Sequence, residues 1–253
     1  YVVDMYRGII QHRTYLTSYL KKEIEKRGLT TPLNCGRIYK VAPAGKTVKP
    51  VLMPHEPLAL VNLLKDKNGW IRDKAQQMLV DGKMISVQPE LRKYLKESSD
   101  PVRVVHAMWT LEGLGILQYE DIVPLFRHPN WKVRASALTA ASSVINGDNY
   151  RRFAAEIRQI MERQDTLTAP YISFQLHCIG AFDQPMADTL WMDIAKKYPD
   201  NRYVADALIS TIEKKENIFY KKIRFIEPDT NLAINRQFEK TLDDIKKNES
   251  GKN

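Results

Sequence analysis

The side chains best suited to chemistry crowd the start of the chain. Asp4, Tyr6, Arg7 and His12 follow one another closely, and Arg37 comes after Gly36. Two guanidiniums and an imidazole beside a carboxylate could grip an anionic cofactor or a sugar through charge-assisted hydrogen bonds. Loops at strand ends suit that task, because a rigid sheet positions them. The same residues could instead close hydrogen bonds between strand ends. Elsewhere the chemical inventory is thin. His12, His55, His106, His128 and His177 are scattered without metal-ligand spacing, and no H-E-x-x-H, paired-cysteine or acidic calcium loop occurs. Neither a glycine-rich phosphate loop nor a serine nucleophile elbow is present. Cys35 and Cys178 lie far apart and read as buried thiols rather than a disulfide framework.

The elements that must position the N-terminal cluster are short. Residues 1–5 are β-branched and aromatic and read as a strand, as do residues 36–42. Between them, residues 9–27 read as a helical insertion with Tyr15, Tyr19 and Ile24 toward one face, stopped by Gly28. Two strands are marginal alone and need others beside them. Residues 1–43 therefore form an incomplete sheet, and residues 44–54, rich in turn dipeptides, form a linker.

From residue 55 one pattern recurs. Asn68, Asp100 and Asn130 each precede an Ala by seven positions (Ala75, Ala107, Ala137), and the copies start 32 and 30 residues apart (68 to 100, 100 to 130). The first residue can cap a helix N-terminus, and the Ala lets a neighbouring helix approach. A weaker copy runs from Asp200 to Ala207. First helices centre on Leu60, Leu91, Ile122, Ile157 and Leu190, with partner helices starting near Asn68, Asp100, Asn130, Thr168 and Asp200. A period of this size marks a helical solenoid. The partner helix after Thr168 lacks the Ala and predicts irregular packing.

Arg72 and Arg134 each stand three residues before the Ala and suggest a polar ladder between stacked turns, with Asp73 and backbone carbonyls as acceptors. Trp70 and Trp131 follow the capping turns; exposed, they would present an aromatic row to a protein partner, and buried, they would pack between repeats. Residues 217–253 form a C-terminal cap and tail: Ile234, Phe238, Leu242 and Ile245 mark one face of a last helix, with residues 248–253 expected to be unstructured.

Composition sets the outer bounds. Hydrophobic residues are 43% and charged residues 27%, as in a folded domain. The chain has 39 Lys and Arg against 30 Asp and Glu, a net charge of +9. The excess is spread in short runs such as Lys21-Lys22 and Lys221-Lys222, which argues for a solvated helical surface over a nucleic-acid groove. No run of 18 apolar residues occurs, so no transmembrane helix is coded. The opening Tyr-Val-Val-Asp-Met reads as an internal start rather than a signal sequence.

The run Asp4-Met5-Tyr6-Arg7-Gly8-Ile9-Ile10-Gln11-His12, with Tyr15-Leu16 and Gly36-Arg37-Ile38-Tyr39-Lys40-Val41, resembles the close of the β-propeller in membrane-bound dehydrogenases of the sorbosone and glucose dehydrogenase class. Asn68–Ala75 resembles the first HEAT-like repeat behind that propeller. The resemblance covers roughly residues 1–80; beyond them the likeness is to HEAT-like architecture generally. With the repeat spacing, this likeness gives an expected mainly α chain: a HEAT-like α-solenoid of about five helix pairs in residues 55–216, preceded by two strands and a helical insertion from a last propeller blade. It further implies a parent sugar or aldehyde dehydrogenase of quinoprotein type. Pyrroloquinoline quinone and Ca²⁺ would sit in the complete propeller, and a c-type haem on a separate domain or partner. Periplasmic or outer-membrane-associated work beside a c-type cytochrome or an outer-membrane complex follows from the same likeness. Asp4, Tyr6, Arg7, His12 and Arg37 would then lie near cofactor or substrate. The chain departs from the family pattern in lacking most of the propeller and any C-x-x-C-H haem-attachment motif. An alternative reading is a non-catalytic helical scaffold that grips a protein partner.

Overall fold

A computed structural model describes residues 1–6, 8–31, 34–45 and 51–250. The chain divides into two compact units, Tyr1–Leu52 and Met53–Asn253. In the first, β1 (Val2–Asp4) and β2 (Arg37–Tyr39) pair antiparallel, with Val2 opposite Tyr39, Val3 opposite Ile38 and Asp4 opposite Arg37. The insertion between them is less helical than its composition predicts. A 3₁₀ turn, Arg13–Tyr15, comes first, and α1 (Ser18–Lys26) starts only where the Thr17 hydroxyl accepts from the Leu20 N–H at 3.3 Å. Tyr15 therefore lies outside the helix whose face it was expected to share. The stop at Gly28 is physical: at φ +60° it admits bonds from Leu29 N–H to the Ile24 carbonyl and from Gly28 N–H to the Glu25 carbonyl. Of the segment read as a linker, residues 46–50 lie outside the described residues.

The second unit is a stack of helix pairs. First helices α2 (Pro57–Leu63), α4 (Gln88–Glu97), α6 (Tyr119–Ile122, continued as a 3₁₀ turn Val123–Arg127), α8 (Tyr150–Glu162) and α11 (Gln184–Lys197) alternate with their partners. The partners are α3 (Gly69–Asp81), α5 (Pro101–Gly113), α7 (Trp131–Ala140), the divided α9 (Ala169–Phe174) and α10 (Leu176–Gly180), and α12 (Arg202–Ser210). A final pair follows, α13 (Glu216–Ile226) and α14 (Ala233–Ser250). The second helices touch in one row, α3 to α5 to α7 to α9 to α12 to α14. This is the nearest-neighbour stacking of a solenoid.

Leu60, Leu91, Ile122, Ile157 and Leu190 are fully buried, one per first helix. Each removes a large aliphatic side chain from water, a contribution of about 1.5–3 kcal/mol apiece. Ala75, Ala107 and Ala137 are also fully buried, where the second helices meet. The side chains of Asn68, Asp100 and Asn130 each accept from the N–H two residues on, at 3.1, 3.0 and 2.9 Å. The weaker copy is displaced by one residue. Asn201 caps α12, accepting from Tyr203 N–H at 3.0 Å, while the Asp200 carboxylate accepts from Ala233 N–H at 3.2 Å in the following pair.

The irregular fourth pair breaks at an informative place. Seven residues after Thr168 stands Gln175, where the other copies have Ala, and there α9 ends and α10 begins. The end of the stack closes on aromatic rings: Trp191 meets Phe219 edge-on at 4.7 Å and donates its indole N–H to the Leu208 carbonyl at 3.0 Å. Ile234, Phe238 and Leu242 are buried along α14, which runs through residue 248 to Ser250 rather than ending in an unstructured tail; residues 251–253 lie outside the described residues.

Candidate functional site

In the N-terminal unit, strand pairing sets Asp4 against Arg37. The Asp4 carboxylate accepts from the Tyr6 N–H at 3.0 Å, and the Arg37 guanidinium lies 5.1 Å from the Tyr6 ring centre. Arg37 also donates to the Tyr39 hydroxyl at 3.1 Å. Tyr6 itself has φ +30°, a backbone conformation that bulky residues rarely adopt. The carboxylate and the stacked guanidinium together hold it there. Asp4, Tyr6 and Arg37 thus form one cluster at the strand ends. Arg7 lies outside the described residues.

His12 belongs to a different feature. Its Nδ1 accepts from the Thr14 N–H at 3.3 Å, starting the 3₁₀ turn, and its ring meets Tyr15 edge-on at 6.2 Å. It lines an open cleft of about 530 Å³ together with Ile9, Arg13, Lys21, Ile24 and Glu25. That mixture of aliphatic and charged groups could hold a polar organic molecule. Among the described residues no group of three or more His, Cys, Asp or Glu could hold a metal ion. The described residues of this unit gather no carboxylate set for Ca²⁺, and Arg37 is engaged with two tyrosines, so no step through a bound quinone is derived from them.

The solenoid carries a polar ladder. Arg72 Nη1 donates to the Asp66 and Lys67 carbonyls at 2.7 and 3.3 Å, and its Nε donates to His106 Nε2 at 3.2 Å. Since Nε2 accepts, the proton of His106 sits on Nδ1, which donates to Gln76 Oε1 at 2.7 Å. Burial first, and the nearby Arg72 charge second, hold the His106 pKa below its ordinary value. Arg134 repeats the arrangement. Nη1 donates to the His128 and Pro129 carbonyls at 2.7 and 2.9 Å, and Nε donates to the Asp165 carboxylate at 2.8 Å. Asp165 also accepts from the Thr168 hydroxyl. The carbonyl acceptors match the sequence expectation, but Asp73 is not Arg72's partner. It lies 4.0 Å from His106 instead. Further rungs join the first helices: Arg92 to Asp121 at 3.0 Å, and Arg127 to Glu156 at 2.7 Å.

Cys178 and His177 look at first like a nucleophile pair, with Sγ 3.3 Å from Nε2. Burial pushes the thiol up to about 11, which removes the thiolate a nucleophile needs near neutral pH.

What the solenoid does expose is a row at its capping turns. Trp70, Val102, Lys132 and Tyr203 each stand two residues after a helix cap, and Trp70 and Tyr203 are 57% and 74% exposed. Trp131 stands one residue earlier in its helix, a rotation of about 100°, and is half-buried. Sequence reasoning paired the two tryptophans, but Lys132 holds the place of Trp70 in that repeat and Tyr203 is the other aromatic at this place; counting from the cap would have found it.

Residues 1–45 match a domain of unknown function, DUF7133. This match lies within the first compact unit and includes the N-terminal residues on which the dehydrogenase resemblance rests. No curated protein and no solved structure matches the chain.

Proposed function

We propose that this chain positions other molecules and does not transform them. The observation behind this reading is the contrast between its units. The solenoid has a continuous buried core, whereas no described residue of 1–52 is buried and Val2, Val3, Ile38, Tyr39 and Val41 stand exposed around a two-stranded ribbon. Open strand edges with apolar side chains nearby favour docking against a larger sheet. The dehydrogenase resemblance gives that sheet an identity: the propeller of an exported, quinoprotein-type sugar or aldehyde dehydrogenase, whose C-terminal region this chain would be. The solenoid then serves as the docking scaffold toward an electron acceptor such as a c-type cytochrome or a membrane complex, with Trp70 and Tyr203 as contact residues.

The test has two arms. The parent protein, supplied with pyrroloquinoline quinone, Ca²⁺ and an artificial electron acceptor, is expected to oxidise sugars or aldehydes, and this chain alone is not. Absence of turnover by the parent protein ends the dehydrogenase reading and leaves a non-catalytic scaffold. Turnover by this chain alone ends the positioning reading. In the second arm, calorimetric titration with a c-type cytochrome should show binding that Trp70→Ala and Tyr203→Ala each weaken by roughly tenfold, as for interface anchors worth over about 1 kcal/mol. Unchanged affinity in both variants rules out this row as the contact surface.

A further inference from the structure

The outward face of α13 combines exposed apolar tips with lysines. Its inward face is fixed by the aromatic closure: Phe219 and Ile223 are buried, and Tyr220 stacks on Phe238 at 5.5 Å and donates its hydroxyl to Glu239 at 2.7 Å. Ile218, Lys221, Lys222 and Phe225, spaced three, four and seven apart, are consequently left on one solvent-facing arc. Phe225 is 89% exposed and Ile218 56% exposed. Over residues 213–226 the charged side chains are Lys214, Lys215, Lys221, Lys222 and Arg224 against Glu213 and Glu216, a local excess of three positive charges (five against two). The Lys222 ammonium lies 5.1 Å from the Phe219 ring centre.

A partner for this face must accept two apolar tips side by side and neutralise the cations around them. The cations decide which kind. Protein interfaces favour arginine and deplete lysine, whereas helices that lie in a bilayer interface combine Lys on a polar flank with Phe and aliphatic residues beneath. Four of the five cations here are lysines. Among the described residues no helix is long and apolar enough to cross a membrane, so such a contact would lie on the surface. We propose that α13 rests on an anionic lipid surface. Phe225 and Ile218 enter the boundary between headgroups and acyl chains, and Lys214, Lys215, Lys221 and Lys222 lie over lipid phosphates. This inference stands apart from the docking reading above, which uses other residues.

The whole chain is sedimented with phosphatidylglycerol vesicles and with phosphatidylcholine vesicles, at low and high salt. Binding is expected to the anionic vesicles alone and to weaken as salt rises. Phe225→Ser should lower affinity about tenfold, the effect of withholding one large apolar side chain. Lys221→Gln should lower it about fivefold, the worth of one lysine near such a surface. Because these side chains face solvent, both variants should melt like the parent chain; if Phe225→Ser does not fold, Ile218→Ser reads the same face. Failure to bind anionic vesicles overturns the proposal. So does binding indifferent to Phe225→Ser and Ile218→Ser, which would reveal non-specific charge attraction, or capture of soluble polyglutamate with vesicles ignored, which would reveal an acidic protein partner.

Discussion

Arg134 joins two helix pairs with one side chain, holding two carbonyls of its own capping turn and a carboxylate 31 residues away. Its guanidinium and the Asp165 carboxylate are both mostly buried. Arg134→Ala would leave that carboxylate desolvated and unpaired, so a loss of about 3 kcal/mol is expected in urea unfolding. A loss under about 1 kcal/mol would sink the ladder account. Acid should act on the same rungs. Burial by itself would raise the Asp165 carboxyl, but hydrogen bonds from Thr168 and Arg134 and the Arg134 charge outweigh it and hold the pKa below 3.8. The stability from Asp165 is therefore present above pH 3.8 and is lost as pH falls through its lower folded value. His106 has the same sign. Its folded pKa lies below 6.5, so its contribution is complete above that pH and declines as acid titrates the ring. His106→Gln keeps a neutral hydrogen-bonding side chain and should lose less stability than the parent chain between pH 7 and about 5. Equal losses would place the acid sensitivity elsewhere. The ladder's carbonyl half was legible from spacing to the cap. Its far partners were not, because they lie one repeat away. Asp73 does not serve Arg72, since adjacent helical residues point about 100° apart.

Ala107 is fully buried in α5, the helix that packs against both α3 and α7. The neighbouring Gly113 has the same cause: a Cβ there would meet Val80 Cγ2 at 2.8 Å. Ala107→Leu should therefore cost about 2 kcal/mol through overpacking, read as a lowered melting temperature; an unchanged melting temperature would show that the second helices do not fit closely. Helix existence, capping residues and core centres were readable because each depends on near neighbours. Two features resisted, each for its own reason. Asp200 and Asn201 are both good caps, and the choice between them is made by Ala233, which recruits the Asp200 carboxylate from the next pair. In α13, Phe219 and Ile223 do have helical spacing, but the exposed Ile218 and Phe225 blur the contrast between faces that would have revealed it.

Across the molecule, order is unevenly distributed. The solenoid's core runs from Leu60 to Phe238, while no described residue of 1–52 is buried. Limited proteolysis should accordingly remove the N-terminal unit first and leave a resistant product beginning near Met53, followed by mass spectrometry. Equal resistance of both units would mean that the first is stabilised by contacts of its own. This imbalance was foreshadowed by the two short strands, which no isolated sheet of that size sustains. The Asp4–Tyr6–Arg37 cluster was legible only as a set of residue types; its strained tyrosine and the separate place of His12 depend on the chain's path between the strands.

The interruption at Gln175 bears on how the array would respond to being pulled from its ends. Most partner helices keep an unbroken ladder of backbone bonds, but this one stops at Phe174 and starts afresh at Leu176. Rupture under load would begin there, opening the array within its fourth pair.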